Sequence, residues 1–234
     1  MKIALLGYGK MGKVIEKIAL SRGHEIVLKK DTENDFEGLK NADVAIDFSV
    51  PSAAFINISA CLEQNIPVIS GTTGWLSDYQ NAVRICNEKK GSFIYSSNFS
   101  LGVNLFFQLN ENLAKMMQRF THYKVAMEEV HHTQKLDSPS GTALSLANQI
   151  IENSSYTNWS ENQFLDTTTI PITAIREANV PGTHVVKYQS EVDTIEIKHI
   201  AHNREGFALG ALIAAEWLVN KKGIFTMKDV LDLQ

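Results

Sequence analysis

The chain is poor in cysteine and has no long hydrophobic run. It contains two cysteines in 234 residues, Cys61 and Cys86, and neither belongs to a CxxC or Cys/His spacing of the kind that binds zinc. Reduced thiols, and with them a cytoplasmic location, are what this usage predicts. No apolar stretch approaches the ~20 residues that span a bilayer. We therefore expect no membrane partner.

The chain also lacks an excess of positive charge. Its 22 Lys and Arg residues are outnumbered by 26 Asp and Glu residues, for a formal net charge of -4. Nucleic acids and anionic membranes attract the opposite balance. We therefore expect no nucleic-acid partner, and an anionic ligand would have to be bound by local groups.

The first half of the sequence alternates short β-branched runs with segments of helical periodicity. This pattern predicts a parallel sheet with right-handed crossovers. The predicted strands are 2–7, 25–30, 42–49, 67–71 and 92–97, and the predicted helices are about 11–21, 52–64 and 76–89.

The second half predicts consecutive strands after its first helices, which is typical of an antiparallel or mixed sheet. Its elements are a helix at 102–119, a strand at 123–130, a helix at 140–152, a surface loop at 154–163, strands at 168–176, 183–190 and 193–202, and helices at 206–221 and 226–233. We predict an α/β protein with a Rossmann-type dinucleotide-binding domain over 1–101 and 205–234, completed by the C-terminal helices. Residues 102–204 form an α+β domain with an open mixed sheet.

A glycine motif directly follows the first predicted strand and opens a helix. Its members are Gly7, Tyr8, Gly9, Lys10, Met11 and Gly12. Such spacing permits a tight turn, close approach of the backbone to a pyrophosphate, and an anion at the helix N-terminus. Glycine-rich turns also occur without ligands, but this position favours a nicotinamide cofactor, NADPH and/or NADH.

Other strand ends carry further candidates for cofactor contacts. Lys29 and Lys30 stand where an acidic residue usually binds the adenosine ribose; they suit the 2′-phosphate of NADPH or are a solvated strand end, and Asp31 could still reach the ribose. Two more strand ends in the first half contribute Gly71, Thr72 and Thr73, and Ser96, Ser97, Asn98 and Phe99. Open α/β sheets bind ligands at such ends.

The segment HHTQKLDSPSGTAL, residues 131–144, gathers two histidines, a lysine and a helix start. A metal site, an acid/base site, an anion pocket and an inert loop all fit at first sight. We expect no metal, because the spacing lacks the His pair of HExxH and has no cysteine support. Asp137 or Ser138 could simply cap the helix, but His132 and Lys135 nearby favour an anionic ligand at the helix N-terminus.

The order of these motifs resembles the dihydrodipicolinate reductase family. The resemblance runs essentially end to end and rests on IDFS (46–49), GTTG (71–74), SNFSLGVN (97–104), EEVHHTQKLDSPSGTAL (128–144), IEIKHIAHNREGFALGAL (195–212) and FTMKDVLDL (225–233). It implies NAD(P)H-dependent reduction of 4-hydroxy-tetrahydrodipicolinate, in the diaminopimelate route to lysine, by a homotetramer. The open sheet of the second domain would build the tetramer.

The resemblance also implies residue roles. His131 would be the proton donor or acceptor and Lys135 the proton donor. The dicarboxylate substrate would be bound by His132, Lys135, Ser140, Gly141 and Thr142. Arg204 would have a supporting role only. Two alternatives are another two-domain nicotinamide dehydrogenase of a small amino or hydroxy acid, which has no need for the residue 131–144 cluster, and a non-catalytic dinucleotide sensor.

Overall fold

A computed structural model describes residues 1–31, 36–163, 166–203 and 205–233. The chain divides into two compact units, which we describe separately. Unit 1 contains Met1–Leu101 and Glu205–Gln234, and unit 2 contains Gly102–Arg204. Arg204 itself lies outside the described residues. None of the described helices is both long enough and apolar enough to cross a membrane.

The elements follow in chain order. The strands are β1 (Lys2–Leu6), β2 (Glu25–Lys30), β3 (Val44–Asp47), β4 (Val68–Ser70), β5 (Ser92–Tyr95), β6 (Lys124–His131), β7 (Asn158–Glu161), β8 (Thr169–Arg176), β9 (Gly182–Gln189), β10 (Thr194–Ala201) and β11 (Gly223–Phe225). The helices are α1 (Lys10–Ser21), α2 (Pro51–Glu63), α3 (Tyr79–Glu88), α4 (Leu101–Met117), α5 (Gly141–Glu152), α6 (Glu205–Leu218) and α7 (Met227–Val230), with short 3₁₀ turns at Leu39–Asn41 and Leu76–Asp78.

Unit 1 is built on a parallel sheet that is buried on both faces. Its described strands lie in the order β11-β5-β4-β3-β1-β2, and every pair is parallel. Alternate strand residues feed two cores, one with α1 and α6 and one with α2 and α3. The strand order reverses between β1 and β3, which is the switch point where open α/β sheets bind ligands.

Unit 2 is built on a mixed sheet with its core on one face. The described strands lie in the order β10-β9-β6-β8-β7, with β6 antiparallel to β9 and parallel to β8. Helices α4 and α5 supply the apolar side chains that pack on this face. On the other face Ile175 and Ile200 remain 39% and 50% exposed. The fold class predicted from the sequence is confirmed.

Three details of the sequence prediction were wrong. The expected loop at 154–163 contains β7, a short edge strand that pairs with β8. It was missed because its sequence, NWSE, is polar and carries no apolar alternation. Strand β11 was not predicted, and the last helix is shorter than expected, spanning only Met227–Val230.

Candidate active site

The glycine motif of unit 1 forms a turn that tolerates no side chains at two positions. Gly7 has φ +100°, and its N–H donates to the carbonyl oxygen of Lys30 at 2.8 Å. A Cβ on Gly7 would lie 2.1 Å from the carbonyl oxygen of Phe48, and one on Gly12 would lie 2.3 Å from that of Gly7. The glycines therefore bring β1, α1 and the end of β3 into backbone contact.

The N-terminus of α1 is open to a ligand. Gly9 is the N-cap, with no side-chain cap and no atom within 4 Å of the position its Cβ would take. The first-turn N–H groups of a helix without a side-chain cap bind anions well. A cavity of about 420 Å³ opens beside this turn; its lining includes Tyr8, Lys30, Asp31 and Ser49. Lys10 is exposed, and Met11 is half-buried in the core that α1 shares with α6.

The two lysines at the end of β2 have different surroundings. Lys29 pairs with Glu16 at 2.5 Å, its ammonium lies 5.1 Å from the centre of the Tyr8 ring, and Tyr8 in turn donates a hydrogen bond to Glu16. Lys30 is buried, lies over the ring of Phe36 at 5.1 Å and lines the cavity. The charge of Lys29 is thus already neutralised, and the prediction of a 2′-phosphate contact rests on Lys30.

A buried carboxylate organises the ends of β3 and β4. Asp47 accepts hydrogen bonds from Ser49 Oγ (2.7 Å), Asn57 Nδ2 (2.8 Å), Ser70 Oγ (2.8 Å) and Thr72 Oγ1 (2.7 Å). Burial raises the pKa of Asp47, while the hydrogen bonds oppose that change. The Thr72 hydroxyl also accepts from the Ser49 N–H at 2.8 Å. Asp47 therefore fixes the loop at 71–74.

The remaining cofactor candidates lie at the ends of β4 and β5. Gly71 cannot carry a side chain, because its Cβ would lie 2.3 Å from the Phe48 ring. Thr73 and Ser97 are exposed. Ser96 Oγ donates to the carbonyl oxygen of Asn98 at 2.7 Å, which tightens this turn. The Phe99 ring is buried in the core, so only its backbone is left to contact a ligand.

In unit 2 the register of the sheet assembles a charged cluster at the end of β6. Glu129 stands opposite His184 on β9, and His131 stands opposite Arg176 on β8. Directly opposed residues share a face, and Glu129 and His131 also share one because side chains alternate along a strand. His131 ends β6, which frees His132 from that alternation.

Glu129 is the centre of this cluster and is fully buried. It lies 3.0 Å from Arg176 Nη2, 3.3 Å from His131 Nδ1 and 3.7 Å from His184 Nε2. Both of its oxygens accept from the Ser140 N–H at 3.1 Å.

Opposing effects set the ionisation of the cluster. Burial raises the pKa of Glu129, but the contact with His131, the hydrogen bonds from Ser140 and the charge of His131 outweigh burial and bring the pKa to about 2. Burial, followed by repulsion from His131, lowers the pKa of His184 to about 3. At neutral pH Glu129 is therefore a carboxylate and His184 is neutral.

Lys135 reaches a carboxylate from its own loop. Its Nζ lies 2.8 Å from both Oδ1 and Oδ2 of Asp137, and its N–H donates to the carbonyl oxygen of His132 at 3.0 Å. Asp137 does not cap α5, since its carboxylate is engaged by Lys135. If a substrate carboxylate bound Lys135, the lysine would exchange the Asp137 carboxylate for that of the substrate.

The N-terminus of α5 is capped by Ser140. Its hydroxyl accepts from the Ala143 N–H at 3.2 Å and lies 3.1 Å from His184 Nε2. Gly141 is exposed, with no atom within 4 Å of the position its Cβ would take. The exposed backbone of Gly141, at the start of a helix, suits a carboxylate. Thr142, next to it, is half-buried.

Glu129, His131 and His184 also form a group of metal-ligand types, with ligand atoms within 4.8 Å of one another. The carboxylate already accepts from Arg176 and from the Ser140 N–H. These donors suit a carboxylate that holds protein groups in place. The group combines two strands, so residue spacing along the chain could not reveal it.

Sequence reasoning gave no role to Asp47, Glu129, Arg176 or His184. A charged residue in an otherwise apolar strand is the one local signal at Asp47, because burial of an unpaired charge is costly. Glu129 is harder to single out, because β6 also carries Lys124 and Glu128. Arg176 and His184 carried no comparable signal.

Two family models match consecutive parts of the chain. The model described as dihydrodipicolinate reductase, N-terminus matches residues 1–99, and the model described as dihydrodipicolinate reductase, C-terminus matches residues 102–231. Together they account for almost the whole sequence.

Curated relatives agree with these matches. The chain is 59% identical over 238 residues to a 4-hydroxy-tetrahydrodipicolinate reductase of Christiangramia forsetii, covering 99% of this chain and 98% of the relative. It is 37% identical to the enzyme of that name from Methanosarcina barkeri, covering 97% of this chain and 83% of the relative.

Solved structures share the fold. A dipicolinate-bound dihydrodipicolinate reductase from a Paenisporosarcina species matches with a TM-score of 0.77 at 22% identity, covering 97% of each chain. An amine dehydrogenase from Mycobacterium smegmatis matches with a TM-score of 0.61 at 7% identity, covering 97% of this chain and 95% of the other.

Proposed function

This chain belongs to the dihydrodipicolinate reductase family, and from that premise we propose how its residues divide the family's reaction. The enzyme is an oxidoreductase that uses NADH or NADPH to reduce 4-hydroxy-tetrahydrodipicolinate, through its dehydrated form, to tetrahydrodipicolinate in lysine biosynthesis. The observation that carries the division of roles is the cluster at the end of β6. There a buried carboxylate, His131 and the N-terminus of α5 lie side by side.

Unit 1 holds the dinucleotide. The first turn of α1, reached through Gly9, binds the pyrophosphate, and the strand ends at Gly71–Thr73 and Ser96–Phe99 contact the nicotinamide half. When bound, the reduced nicotinamide supplies the hydride. Asp47 keeps the 71–74 loop in the conformation that the cofactor meets.

Unit 2 holds the dicarboxylate. One substrate carboxylate binds to the backbone at Gly141 and Thr142, beside the capping residue Ser140, where the dipole at the N-terminus of α5 favours an anion. The other is bound by His132 and Lys135. The structure with dipicolinate bound, a dicarboxylate, supports this class of ligand for the fold.

His131 and Lys135 carry the proton chemistry. Hydride addition to the terminal carbon of the conjugated C=C–C=N system leaves an electron pair shared between the ring nitrogen and the carbon next to the reduced one, and a proton must neutralise it. Lys135 stabilises this charge with its ammonium group. His131 donates the proton, the general-acid role that histidine side chains perform most often in enzymes.

NADPH is the cofactor that this chain is proposed to prefer. Lys30 lines the cavity beside the glycine turn and provides a positive charge for the 2′-phosphate. Asp31 lines the same cavity and would favour the free ribose hydroxyls of NADH. Because Lys30 favours NADPH and Asp31 favours NADH, the chain is expected to use both cofactors if the two effects are similar in size.

A homotetramer in the cytoplasm is proposed as the working form. Among the described strands, β10 is one of the two edge strands of the second sheet, and the backbone groups of an edge strand can form hydrogen bonds with a strand of another chain. Exposed Ile175 and Ile200 lie on the face turned away from the core of unit 2, and burial of such side chains stabilises oligomers. Nucleic acid and membranes are not proposed as partners.

A coupled assay tests the activity. The substrate is generated from pyruvate and aspartate semialdehyde by the preceding synthase, and loss of the reduced nicotinamide absorbance is followed. Oxidation of cofactor that depends on both precursors supports the proposal. Oxidation with other amino or hydroxy acid substrates alone would favour another dehydrogenase, and cofactor binding without turnover would favour a sensor.

A further inference from the structure

Glu129 has no direct role in the reaction proposed above, yet it is the most enclosed charged group of unit 2's candidate site. Its side chain is 0% exposed. Donors approach it from three elements, namely Arg176 on β8, the Ser140 N–H before α5, and His131 on its own strand. A carboxylate is retained at such a position only if its donors compensate for lost hydration.

The ring of His131 is confined on both of its nitrogen sides. Nδ1 is buried and faces Oε2 of Glu129 at 3.3 Å, close enough for an electrostatic contact although the angles do not make it a formal hydrogen bond. A Cβ added to Gly182 would lie 3.1 Å from Nε2, so the glycine leaves just enough room for the ring. His184 packs edge-on against the ring, with 5.0 Å between centroids. The orientation of His131 is therefore set by its neighbours.

We propose that Glu129 is a positioning residue that fixes the ring and the tautomer of His131. An ionised carboxylate can only accept, so the nitrogen that faces it must carry the proton. The Nδ1–H tautomer leaves the Nε2 lone pair as the site that gains and loses the reaction's proton. The catalytic part of this inference rests on the proposed role of His131; the tautomer itself does not.

Arg176 and Ser140 determine which oxygen of Glu129 serves His131. Arg176 Nη2 donates to Oε1, and the Ser140 N–H donates to both oxygens. Oε2 is thereby left to face His131. The arrangement resembles the general case of a carboxylate that orients a catalytic imidazole through the nitrogen remote from the chemistry.

Glu129→Gln tests the proposal with little change in shape. Arg176 and Ser140 are donors, so the amide oxygen of Gln takes the Oε1 position and the NH₂ group turns toward His131. An NH₂ group donates to Nδ1 and holds the neutral ring in the Nε2–H tautomer. Proton uptake at Nε2 is then blocked, and the loss of a well-placed acid/base group lowers kcat by about 100-fold or more.

The direct measurement is the tautomer of His131, read from imidazole ¹⁵N chemical shifts of the full chain labelled at histidine. We expect the Nδ1–H form in the parent and the Nε2–H form in Glu129→Gln. The matched control is Glu128→Gln, the adjacent residue on the other face of β6, which should alter neither tautomer nor kcat. An unchanged tautomer in folded Glu129→Gln would overturn the proposal.

The pH profile of kcat/KM shows whether Glu129 acts by positioning His131 or only by filling space in the core. Among the described residues, the groups that face His131 and Glu129 are Arg176 from β8, His184 from β9 and the Ser140 N–H before α5. The adjoining loop carries the charges of Lys135 and Asp137, and Asp137 interacts electrostatically with Glu129. These charges are the same in Glu129→Gln, so a profile that moves reports the lost carboxylate. Loss of kcat with an unmoved profile would overturn the assignment.

Two further variants keep the test decisive. If Glu129→Gln does not fold, Glu129→Asp keeps the charge and should retain the Nδ1–H tautomer; the Nε2–H form there would also overturn the proposal. His131→Asn addresses the proposed function instead. Full activity in His131→Asn would show that His131 takes no part in the reaction. The tautomer of His131 in the parent and in Glu129→Gln would still decide whether Glu129 positions the ring.

Discussion

Acidification is expected to destabilise unit 2 through the single carboxyl group of Glu129. Its pKa is about 2 in the folded protein and 4.5 for an ordinary glutamate. At 1.36 kcal/mol per pH unit, this difference stabilises the folded protein by up to about 3 kcal/mol. The side chain is fully buried, so solvent does not screen the interactions that cause the difference.

The sign of the effect follows from proton binding. The folded pKa is depressed, so the unfolded chain binds a proton first as the pH falls. The stabilisation is complete well above pH ~4.5 and is lost progressively as the pH approaches ~2; by pH ~3 about 2 kcal/mol should be gone. Other groups whose pKa is lowered in the folded protein, namely His184 and the carboxyls of Asp137 and Glu216, add to acid sensitivity, so the contribution of Glu129 must be isolated by comparison.

The comparison is between the parent chain and Glu129→Gln across pH ~7 to ~3. Urea unfolding, followed by circular dichroism and by hydrogen exchange of peptides from β6, gives the free energy of unfolding at each pH. The parent should be the more stable at pH ~7, and its advantage should shrink by about 2 kcal/mol at pH ~3. An advantage that stays constant with pH would show that Glu129 is not linked to proton binding in the folded state.

Further alanine substitutions test the candidate residues of each unit separately. Lys135→Ala should lower kcat at least ~100-fold, the usual scale for losing a group that stabilises charge formed in the transition state, with Lys135→Arg as the charge-preserving control; near-parental turnover in the alanine variant would refute the role. Lys30→Ala should weaken NADPH binding about tenfold or more, as loss of a charged hydrogen bond does, and leave NADH nearly unchanged in titration calorimetry. Lys29→Ala should affect NADPH far less, because Glu16 already neutralises Lys29, and equal losses in the two variants would contradict the distinction. Asp47→Ala leaves buried donors without an acceptor and should lower the free energy of unfolding by at least about 3 kcal/mol; a loss below about 1 kcal/mol would argue that the Asp47 network is not structural.

The fold was largely predictable because its signals are local. Buried parallel strands such as β1 and β3 are largely apolar runs, and the helices between them have clear periodicity. The strands that were missed are short: β11 has three residues, and β7 pairs with the edge of β8 although nothing within NWSE requires a strand. Edge strands depend on their partner more than on their own sequence.

The site was predictable only where chemistry lies along the chain. The glycine turn is one contiguous segment, and His131 to Thr142 is another. Motif reasoning could therefore find both segments. The partners of His131 are brought in by strand register, which pairs Glu129 with His184 and His131 with Arg176. A slip of one residue between β6 and β9 would turn Glu129 to the opposite face, and no single segment encodes that register.

Glu129 links the strand end that carries the proposed acid/base group, His131, to the helix start that carries the proposed carboxylate site, Gly141. It accepts the Ser140 N–H, which ties the entry of α5 to β6, and it also faces His131 two residues further along. One buried charge therefore sets the distance between His131 and the backbone at Gly141. Moving either group alone would leave the buried carboxylate with one donor fewer, which costs ~1–3 kcal/mol. On the proposed roles, this cost would couple substrate position to proton transfer, so we expect variants of Glu129 to alter KM for the dicarboxylate as well as kcat.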